Sequence, residues 1–275
     1  MMLQANTVGT MRDGTNMHLG ASARQDVLPV INARDSCSIR SRPHPRRGPP
    51  PAGLALFALD LEGYRTPCDA VLHDARWLGP ALAPRRREFA GGRVCAAAAL
   101  GALGHEQGWL PIARPYRYAR FPLGTVGSIS HTRKLALACV ADAGLCLGLG
   151  IDIEDMVGYP ELSEMAEHAM HPEERERFQR MRGDEALRFF YLCFSAKEAF
   201  YKAVFPLCHV ELEMDEAQLT DWDDQGRFEL ALRSQRLGER FSDGHVFHGS
   251  WAVQGETLYV LLTIDHAAST RPRAG

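Results

Sequence analysis

Residues 146–155 read CLGLGIDIED, and their character alternates with a period of two. Aliphatic residues fill the odd positions 147–153, while the even positions 148–154 hold two glycines followed by two acids. In a β-strand, residues two apart project from the same face, so this period predicts a strand with one aliphatic, buried face. The opposite face then carries Gly148, Gly150, Asp152 and Glu154 together.

The two acids need a reason to share one strand face. Neighbouring carboxylates repel each other, and the cost grows when they are partly buried. A divalent cation removes that cost, and oxygen-only ligands favour Mg²⁺, Mn²⁺ or Ca²⁺. Gly148 and Gly150 are expected to let a ligand come close to the strand backbone. The alternative is a solvated strand end with two surface acids.

The overall composition excludes several classes of protein. The chain has 275 residues, of which 45% are hydrophobic, which is enough for one large domain or two small lobes. A net charge of -3 does not suit a polybasic nucleic-acid binder. Seven cysteines without a CxxC motif favour reduced thiols, and neither a secretory signal nor a bilayer-length apolar run is evident. We therefore expect a cytoplasmic protein with no nucleic-acid or membrane partner.

The first half of the chain divides into an extension and a lobe. Residues 1–52 include the stretch SIRSRPHPRRGPPPAG and are expected to be a disordered extension, or to follow from a start codon assigned too far upstream. A helix is predicted to begin near Arg85, and strands are predicted at 125–130, 134–141 and 145–153. The turn at 142–144 is expected to join the last two strands into a hairpin.

The second half changes from helices to strands. One helix is predicted to start at Pro172, and a long helix over 184–205 is expected to be stopped by Pro206. Strands follow at RFELAL, VFHGSWAV and ETLYVLLTI, the last two joined by a turn at 254–255. The fold class is therefore α+β, with an N-terminal lobe over 53–145, a C-terminal lobe over 146–267 and a disordered tail over 268–275.

The stretch FSAKEAFYKA, at 194–203, lies in the long helix. Glu198 and Lys202 are four residues apart and share a face of that helix. The helix is apolar almost all round, so it should be largely buried and its charges should have partners. We expect Glu198 to share a metal ion with Asp152 and Glu154. A surface ion pair between Glu198 and Lys202 is the alternative.

These motifs resemble a known family. GIDIE, followed some forty residues later by FSAKEAFYKA, is similar to the paired signature of the 4′-phosphopantetheinyl transferases. GSISH at 127–131, RRREFAGGR at 85–93 and PIARPYRYARFP at 111–122 resemble further family segments, in the expected order. Together they resemble the monomeric, two-lobed subgroup of the enterobactin synthetase component D type, over about residues 54 to 265.

The resemblance implies a fold and a reaction. The fold would be two similar lobes, each a helix with a small, mostly antiparallel sheet, arranged as a pseudo-dimer. The reaction would move the 4′-phosphopantetheine arm of coenzyme A to a serine of an apo carrier protein, with Mg²⁺ and release of adenosine 3′,5′-bisphosphate. Mn²⁺ could replace Mg²⁺. The carrier would be an acyl, peptidyl or aryl domain, as used in siderophore, polyketide or nonribosomal peptide synthesis.

The resemblance also implies site residues. The metal ligands would be Asp152, Glu154 and Glu198. Glu198 and Lys202 would be catalytic, with Glu198 as the base and Lys202 stabilising the leaving phosphate. Contacts to coenzyme A would come from Arg85, Arg93, Arg114, Ser130, His131, Lys197 and Lys202. Two alternatives stay open. The protein could be a catalytically inactive relative that binds coenzyme A, or a Mg²⁺-dependent nucleotide pyrophosphate hydrolase.

Overall fold

The computed structural model describes residues 53–62, 64, 83–105, 110–116, 118–238 and 240–266. The two segments expected to be disordered, 1–52 and 268–275, lie outside these described residues.

A three-stranded antiparallel sheet with one long helix forms the first half of the described fold. Its strands are β1 (Leu54–Asp60), β2 (Thr125–His131) and β3 (Leu135–Asp142), in the order β1-β3-β2. Helix α1 (Ala83–Ala102) covers one face and confirms the predicted helix. The helix packs closely because its buried side chains are small, and Ala96 and Ala99 lie in one core with Val140 of β3.

A five-stranded antiparallel sheet forms the second half. Its strands are β4 (Gly148–Asp155), β5 (Ala217–Trp222), β6 (Arg227–Leu232), β7 (Val246–Gln254) and β8 (Thr257–Ile264), in the order β4-β8-β7-β6-β5. Between β4 and β5 the chain forms α2 (Leu162–Ala169), α3 (Pro172–Arg180), α4 (Gly183–Cys208) and a short 3₁₀ turn (Met214–Glu216). The strands predicted at 125–130, 134–141 and 145–153 correspond to β2, β3 and β4, and the three predicted in the second half correspond to β6, β7 and β8. By contrast, β1, β5 and α2 were not predicted from the sequence.

The two sheets meet through the aliphatic face of β4. Leu149, Ile151 and Ile153 are buried in one core with Leu56 of β1 and Leu137 of β3. The opposite face of β4 packs against α4. Burial of the aliphatic face, as the alternating pattern predicted, is therefore confirmed, and the strand lies between two layers of the protein.

The predicted hairpin between the strands at 134–141 and 145–153 is wrong. β3 pairs with β1 and β2, whereas β4 pairs with β8 in the other sheet. The chain turns after Asp142, whose carbonyl accepts from Leu145 N, and β4 is entered through Leu147 N, which donates to the Ile264 carbonyl. A tight hairpin would have kept the aliphatic face of β4 beside β3 in one sheet. Instead, β4 belongs to the five-stranded sheet, and its aliphatic face is buried against β1 and β3 of the three-stranded sheet.

Pro206 does not stop α4, contrary to the sequence prediction. The helix continues to Cys208, and His209 ends it in a left-handed conformation with φ of 53°. Proline has no N–H to donate to the carbonyl four residues earlier, and its ring crowds that carbonyl. Neither effect prevents the residues after the proline from being helical, and Pro206 lies only two residues from the end of the helix. The His209 N–H then donates to the Phe205 carbonyl at 2.8 Å and closes the final turn.

The α+β fold class with small antiparallel sheets and covering helices is confirmed. The lobe boundary between residues 145 and 146 stays a prediction, and the change of sheet between β3 and β4 supports it. Among the helices that the structure describes, none combines the length and apolar character that a bilayer crossing needs.

Candidate active site

A cleft of about 800 Å³ opens where β2, β4, α1 and α4 meet. One of its walls belongs to the first sheet and its helix, and the other to the second sheet and α4. The charged residues that line it are Arg85, Glu88, Arg93, Arg120, His131, Asp152, Glu154, Glu198 and Lys202. Most of the residues proposed from the sequence therefore reach one cavity.

Asp152 lies at the centre of the polar contacts in this cleft. The residue is only 2% exposed. Its Oδ1 accepts from Lys202 Nζ at 2.6 Å and from Ser130 Oγ at 2.8 Å, and its Oδ2 accepts from Ser195 Oγ at 2.8 Å. Burying a carboxylate is costly unless donors compensate its charge. Ser130 belongs to β2, whereas Ser195 and Lys202 belong to α4. Together these three donors compensate the charge of the buried carboxylate.

Glu154 and Glu198 lie half-buried beside Asp152. The pKa of Glu154 is raised to about 7, mainly by burial and also by the charge of Asp152, while Lys202 opposes the rise. Burial also raises the pKa of Glu198, with Lys202 opposing and Asp152 adding to the rise. The three acids therefore repel one another in a poorly hydrated place, and additional positive charge in the cleft would stabilise their ionised forms.

The donor chemistry of the three acids fits Mg²⁺, which prefers carboxylate, phosphate and water oxygens. Within the described ranges, however, no three acidic, histidine or cysteine side chains are grouped closely enough to hold a metal ion by themselves. A metal at Asp152, Glu154 and Glu198 would thus need oxygens from water or from a bound substrate as well. This is the usual way in which proteins bind Mg²⁺.

Lys202 places its ammonium group among the acids. Its Nζ lies 2.6 Å from Asp152 Oδ1, 3.3 Å from Ser130 Oγ and 3.8 Å from Glu198 Oε2. The side chain is 27% exposed, so the charge is reachable from the cleft. Lys202 can therefore contact an anion that enters this cavity.

A second charged group lies at the end of β2 and the start of α1. Arg85 Nη1 lies 2.6 Å from His131 Nε2 and 3.2 Å from Glu88 Oε2. Burial lowers the pKa of His131, and the Arg85 charge lowers it further, whereas Glu88 raises it. Arg85 is the arginine of the Arg85–Arg87 run that both lines the cleft and contacts His131. The sequence pattern alone could not decide which of these three arginines lines the cleft.

The other two proposed arginines differ in their placement. Arg93 lines the cleft but is only 6% exposed, and it donates from Nε to the Leu110 carbonyl at 3.2 Å while its guanidinium lies over the Phe89 ring. Arg114 is exposed and is not among the residues that line the cleft. Arg120, on the same loop, lines it instead.

The hydroxyl of Ser130 makes its contacts inside the protein. It donates to Asp152 Oδ1, and it accepts from Ile153 N at 3.3 Å and from Lys202 Nζ at 3.3 Å. Ser130 is 6% exposed. The structure therefore brings Ser130 to the predicted site, but as a link between β2, β4 and α4.

Lys197 does not extend into the cleft. Its side chain is 2% exposed, and its Nζ donates to Glu174 Oε2 at 2.5 Å and to the Ala169 carbonyl at 2.8 Å. The expectation that it faces a phosphate together with Lys202 is thus not met by this geometry. Residues five apart on a helix are rotated by about 140°, which sends the two lysines to different sides of α4.

The glycines of β4 make room for protein rather than for a ligand, which corrects the sequence interpretation. A Cβ at Gly150 would lie 1.7 Å from the Ala199 carbonyl oxygen, and one at Gly148 would lie 2.6 Å from the Ala203 carbonyl oxygen. Both distances are far below van der Waals contact. The two glycines therefore let the backbone of α4 lie directly on β4, which brings Glu198 and Lys202 to the acids of the strand.

Three residues at the site were missed from the sequence, namely Ser195, Glu88 and Arg120. Ser195 precedes Glu198 by three residues in the same motif, so helical spacing could have placed it on the face that meets β4. Glu88 and Arg120 lie in RRREFAGGR and PIARPYRYARFP, two segments that resemble the family. Their position beside the cleft follows from the fold of α1 and of the 111–120 loop, which no local pattern reveals.

Comparison with known proteins identifies two regions of family similarity. Residues 148–254 match the model of the 4′-phosphopantetheinyl transferase superfamily. Residues 73–141 match the model of the 4′-phosphopantetheinyl transferase N-terminal domain. The first region contains the three acids and Lys202, and the second contains Arg85, Ser130 and His131.

Individual relatives agree with the family models. The chain is 38% identical over 191 residues to the 4′-phosphopantetheinyl transferase Svp of Streptomyces mobaraensis, which covers 68% of this chain and 75% of that protein. It is 34% identical over 208 residues to the 4′-phosphopantetheinyl transferase Npt of Nocardia iowensis, covering 75% and 85%. Enterobactin synthase component D of Escherichia coli K12 is 31% identical over 148 residues, covering 51% and 64%.

Proposed function

The chain belongs to the 4′-phosphopantetheinyl transferase superfamily, and we propose that its cleft moves the 4′-phosphopantetheine arm of coenzyme A to a serine hydroxyl of an apo carrier protein, with Mg²⁺ bound. One observation carries the assignment of the cleft. Asp152, Glu154, Glu198 and Lys202 line one cavity with the pair of Arg85 and His131.

The basic residues of the cleft suit the phosphates of coenzyme A. Arg85 is 55% exposed at its side chain and can turn toward an anion, while His131 marks the end of β2 beside it. A guanidinium group can bind phosphate oxygens in a bidentate geometry, which a lysine ammonium group cannot adopt. We assign Arg85 and His131 to the 3′-phosphate of coenzyme A, and Arg93 to shaping the wall behind them. Arg114 and Lys197 are left out of the proposed site because of their placement.

Asp152, Glu154 and Glu198 would hold the Mg²⁺ ion. When bound, the ion would neutralise the pyrophosphate of coenzyme A and polarise the phosphorus under attack. Burial is the main cause of the raised pKa values of Glu154 and Glu198, and the charge of Asp152 adds to both rises. A bound cation would compensate this negative charge, which supports the assignment.

Glu198 and Lys202 are the proposed catalytic residues. Glu198 accepts the proton of the carrier serine as the serine oxygen attacks the β-phosphorus. The bond between that phosphorus and the bridging oxygen breaks, and adenosine 3′,5′-bisphosphate leaves with the electron pair. Lys202 stabilises the charge that develops on the leaving phosphate.

We propose that the protein works as a monomer, because a single chain supplies both walls of the cleft. β2 and α1 form one wall, and β4 and α4 form the other. The carrier is assigned only as an apo acyl, peptidyl or aryl carrier domain.

Release of adenosine 3′,5′-bisphosphate tests the function. The full chain would be incubated with coenzyme A, MgCl₂ and an apo carrier, and the nucleotide would be quantified by chromatography. We expect release that requires the carrier, stops with EDTA and returns with Mg²⁺ or Mn²⁺. Release without any carrier would instead indicate pyrophosphate hydrolysis, and release in EDTA would contradict the metal assignment.

A further inference from the structure

Two buried hydroxyl groups bind opposite oxygens of the Asp152 carboxylate. Ser130 Oγ donates to Oδ1 and Ser195 Oγ donates to Oδ2, both at 2.8 Å. Ser130 is 6% exposed, Ser195 is 0% exposed and Asp152 is 2% exposed. The two serines come from different parts of the fold, β2 and α4, so the carboxylate is fixed from two sides.

Ser195 has no evident benefit for its own helix. Serine in a helix interior is less favourable than alanine, because its hydroxyl competes with the backbone hydrogen bonds. The hydroxyl is nevertheless buried in α4, where the neighbouring residues Phe194 and Ala196 are apolar. Its hydrogen bond to Asp152 Oδ2 accounts for a polar group at this position.

The bonds limit what else Asp152 can bind. A carboxylate offers about four acceptor positions on its two oxygens. Ser130 and Lys202 occupy Oδ1, and Ser195 occupies one position on Oδ2. One position, on Oδ2, is left by these three donors. The carboxylate plane is thereby set, and so is the oxygen that meets a further ligand.

We propose that Ser195, together with Ser130, is a positioning residue that orients Asp152 for the metal ion. The inference rests on the proposed function, in which Asp152 is a metal ligand. Groups that hydrogen-bond to metal ligands fix ligand orientation, and their loss typically weakens metal affinity or activity by roughly 10–100-fold. Ser195 touches neither metal nor substrate in this account and acts only through Asp152.

Ser128 offers a matched control. It is also a buried serine, 5% exposed, and its Oγ accepts from Ile151 N at 3.0 Å. It thus links β2 to β4 as Ser130 does, but its described hydrogen bond goes to the backbone and not to Asp152. Ser128→Ala perturbs the contact between the sheets and leaves the hydroxyl groups at Asp152 in place.

Mn²⁺ is the probe for the test, because its free ion can be counted by electron paramagnetic resonance. Full-length wild type, Ser195→Ala and Ser128→Ala would be titrated with Mn²⁺ at a fixed saturating concentration of coenzyme A. We expect Ser195→Ala to raise the Mn²⁺ dissociation constant by about tenfold or more, and Ser128→Ala to stay within about twofold of wild type. Transfer by Ser195→Ala should be weak at low Mn²⁺ and largely recovered at saturating Mn²⁺.

The outcomes separate this inference from the proposed function. Wild-type Mn²⁺ affinity in a folded Ser195→Ala protein would overturn the positioning role, as would an equal loss in Ser128→Ala. Absence of Mn²⁺ binding in the wild type would instead contradict the metal assignment itself. If Ser195→Ala does not fold, Ser195→Cys decides, since its thiol is a weaker donor of similar size and should give an intermediate affinity.

Discussion

Replacing Lys197 by methionine should destabilise the protein strongly without changing how it binds coenzyme A. Lys197 and Glu174 form a buried ion pair, with the lysine side chain 2% exposed and the glutamate side chain 0% exposed. Glu174 also accepts from His171 N at 2.7 Å and from Leu219 N at 2.5 Å. This single carboxylate therefore joins the start of α3 to β5 and to α4.

The magnitude follows from these contacts. Removing one partner of a buried ion pair leaves an uncompensated charge and costs about 3–5 kcal/mol. Two backbone N–H groups remain on Glu174 after the substitution, so we expect the lower end, about 3 kcal/mol. Against a typical total stability of roughly 5–15 kcal/mol, this is a large fraction. Ala169 also loses the lysine donor to its carbonyl.

Urea unfolding of the full-length chain measures the effect, with Lys202→Met as the matched control. Lys202 is 27% exposed at its side chain, so water can replace much of its contact and its stability cost should be smaller. In the folded fraction, Lys197→Met should keep the KM for coenzyme A within about twofold, whereas Lys202→Met should lower kcat. A Lys197→Met protein with wild-type stability and a KM raised several-fold would refute this reasoning and return Lys197 to the phosphate site.

Three further changes have expected outcomes. Gly150→Ala should prevent α4 from packing on β4, because its Cβ would lie 1.7 Å from the Ala199 carbonyl oxygen; an expressed protein with a wild-type thermal midpoint would contradict this. Arg85→Ala should raise the KM for coenzyme A by about tenfold. Arg86 does not line the cleft, so Arg86→Ala should leave this KM unchanged. Equal effects of the two substitutions in steady-state kinetics would contradict the assignment of Arg85 to a phosphate of coenzyme A. The pKa of Glu154 is raised to about 7, mainly by burial, so between pH 4.5 and 7 the folded state holds a proton that the unfolded state has lost. The free energy of unfolding in EDTA should therefore fall as pH rises through this range. Chemical denaturation of Glu154→Gln should show a flatter pH dependence, and the same slope as in the wild type would contradict this prediction.

The sequence predicted the elements of the site better than their surroundings. The alternation in β4 correctly placed Asp152 and Glu154 on one face, and the spacing in α4 placed Glu198 and Lys202 on another shared face. The period of a strand or a helix predicts which residues share a face, because it follows from backbone geometry alone. They do not report what lies opposite, which explains why the space beside Gly150 was assigned to a ligand instead of to α4.

Errors of pairing and burial have the same origin. The turn after Asp142 was correctly placed, but a turn does not determine whether the next strand joins the same sheet. Burial of the aliphatic face of β4 against the other sheet decided that. Lys197 was grouped with Lys202 because both are basic and close in sequence, although helical geometry separates them by about 140°. The buried partner Glu174, on α3, could not be found from the spacing within one helix.

We propose above all that the cleft lined by Asp152, Glu154, Glu198 and Lys202 transfers phosphopantetheine. Intact-protein mass spectrometry of an apo carrier, incubated with this chain, coenzyme A and Mg²⁺, tests it most directly. We expect the carrier to gain one phosphopantetheine arm, and the gain to be lost when Glu198→Gln replaces the wild type or when the carrier serine is changed to alanine. A carrier that gains the arm equally with Glu198→Gln would contradict the assigned site. No gain with acyl, peptidyl or aryl carriers would contradict the activity itself.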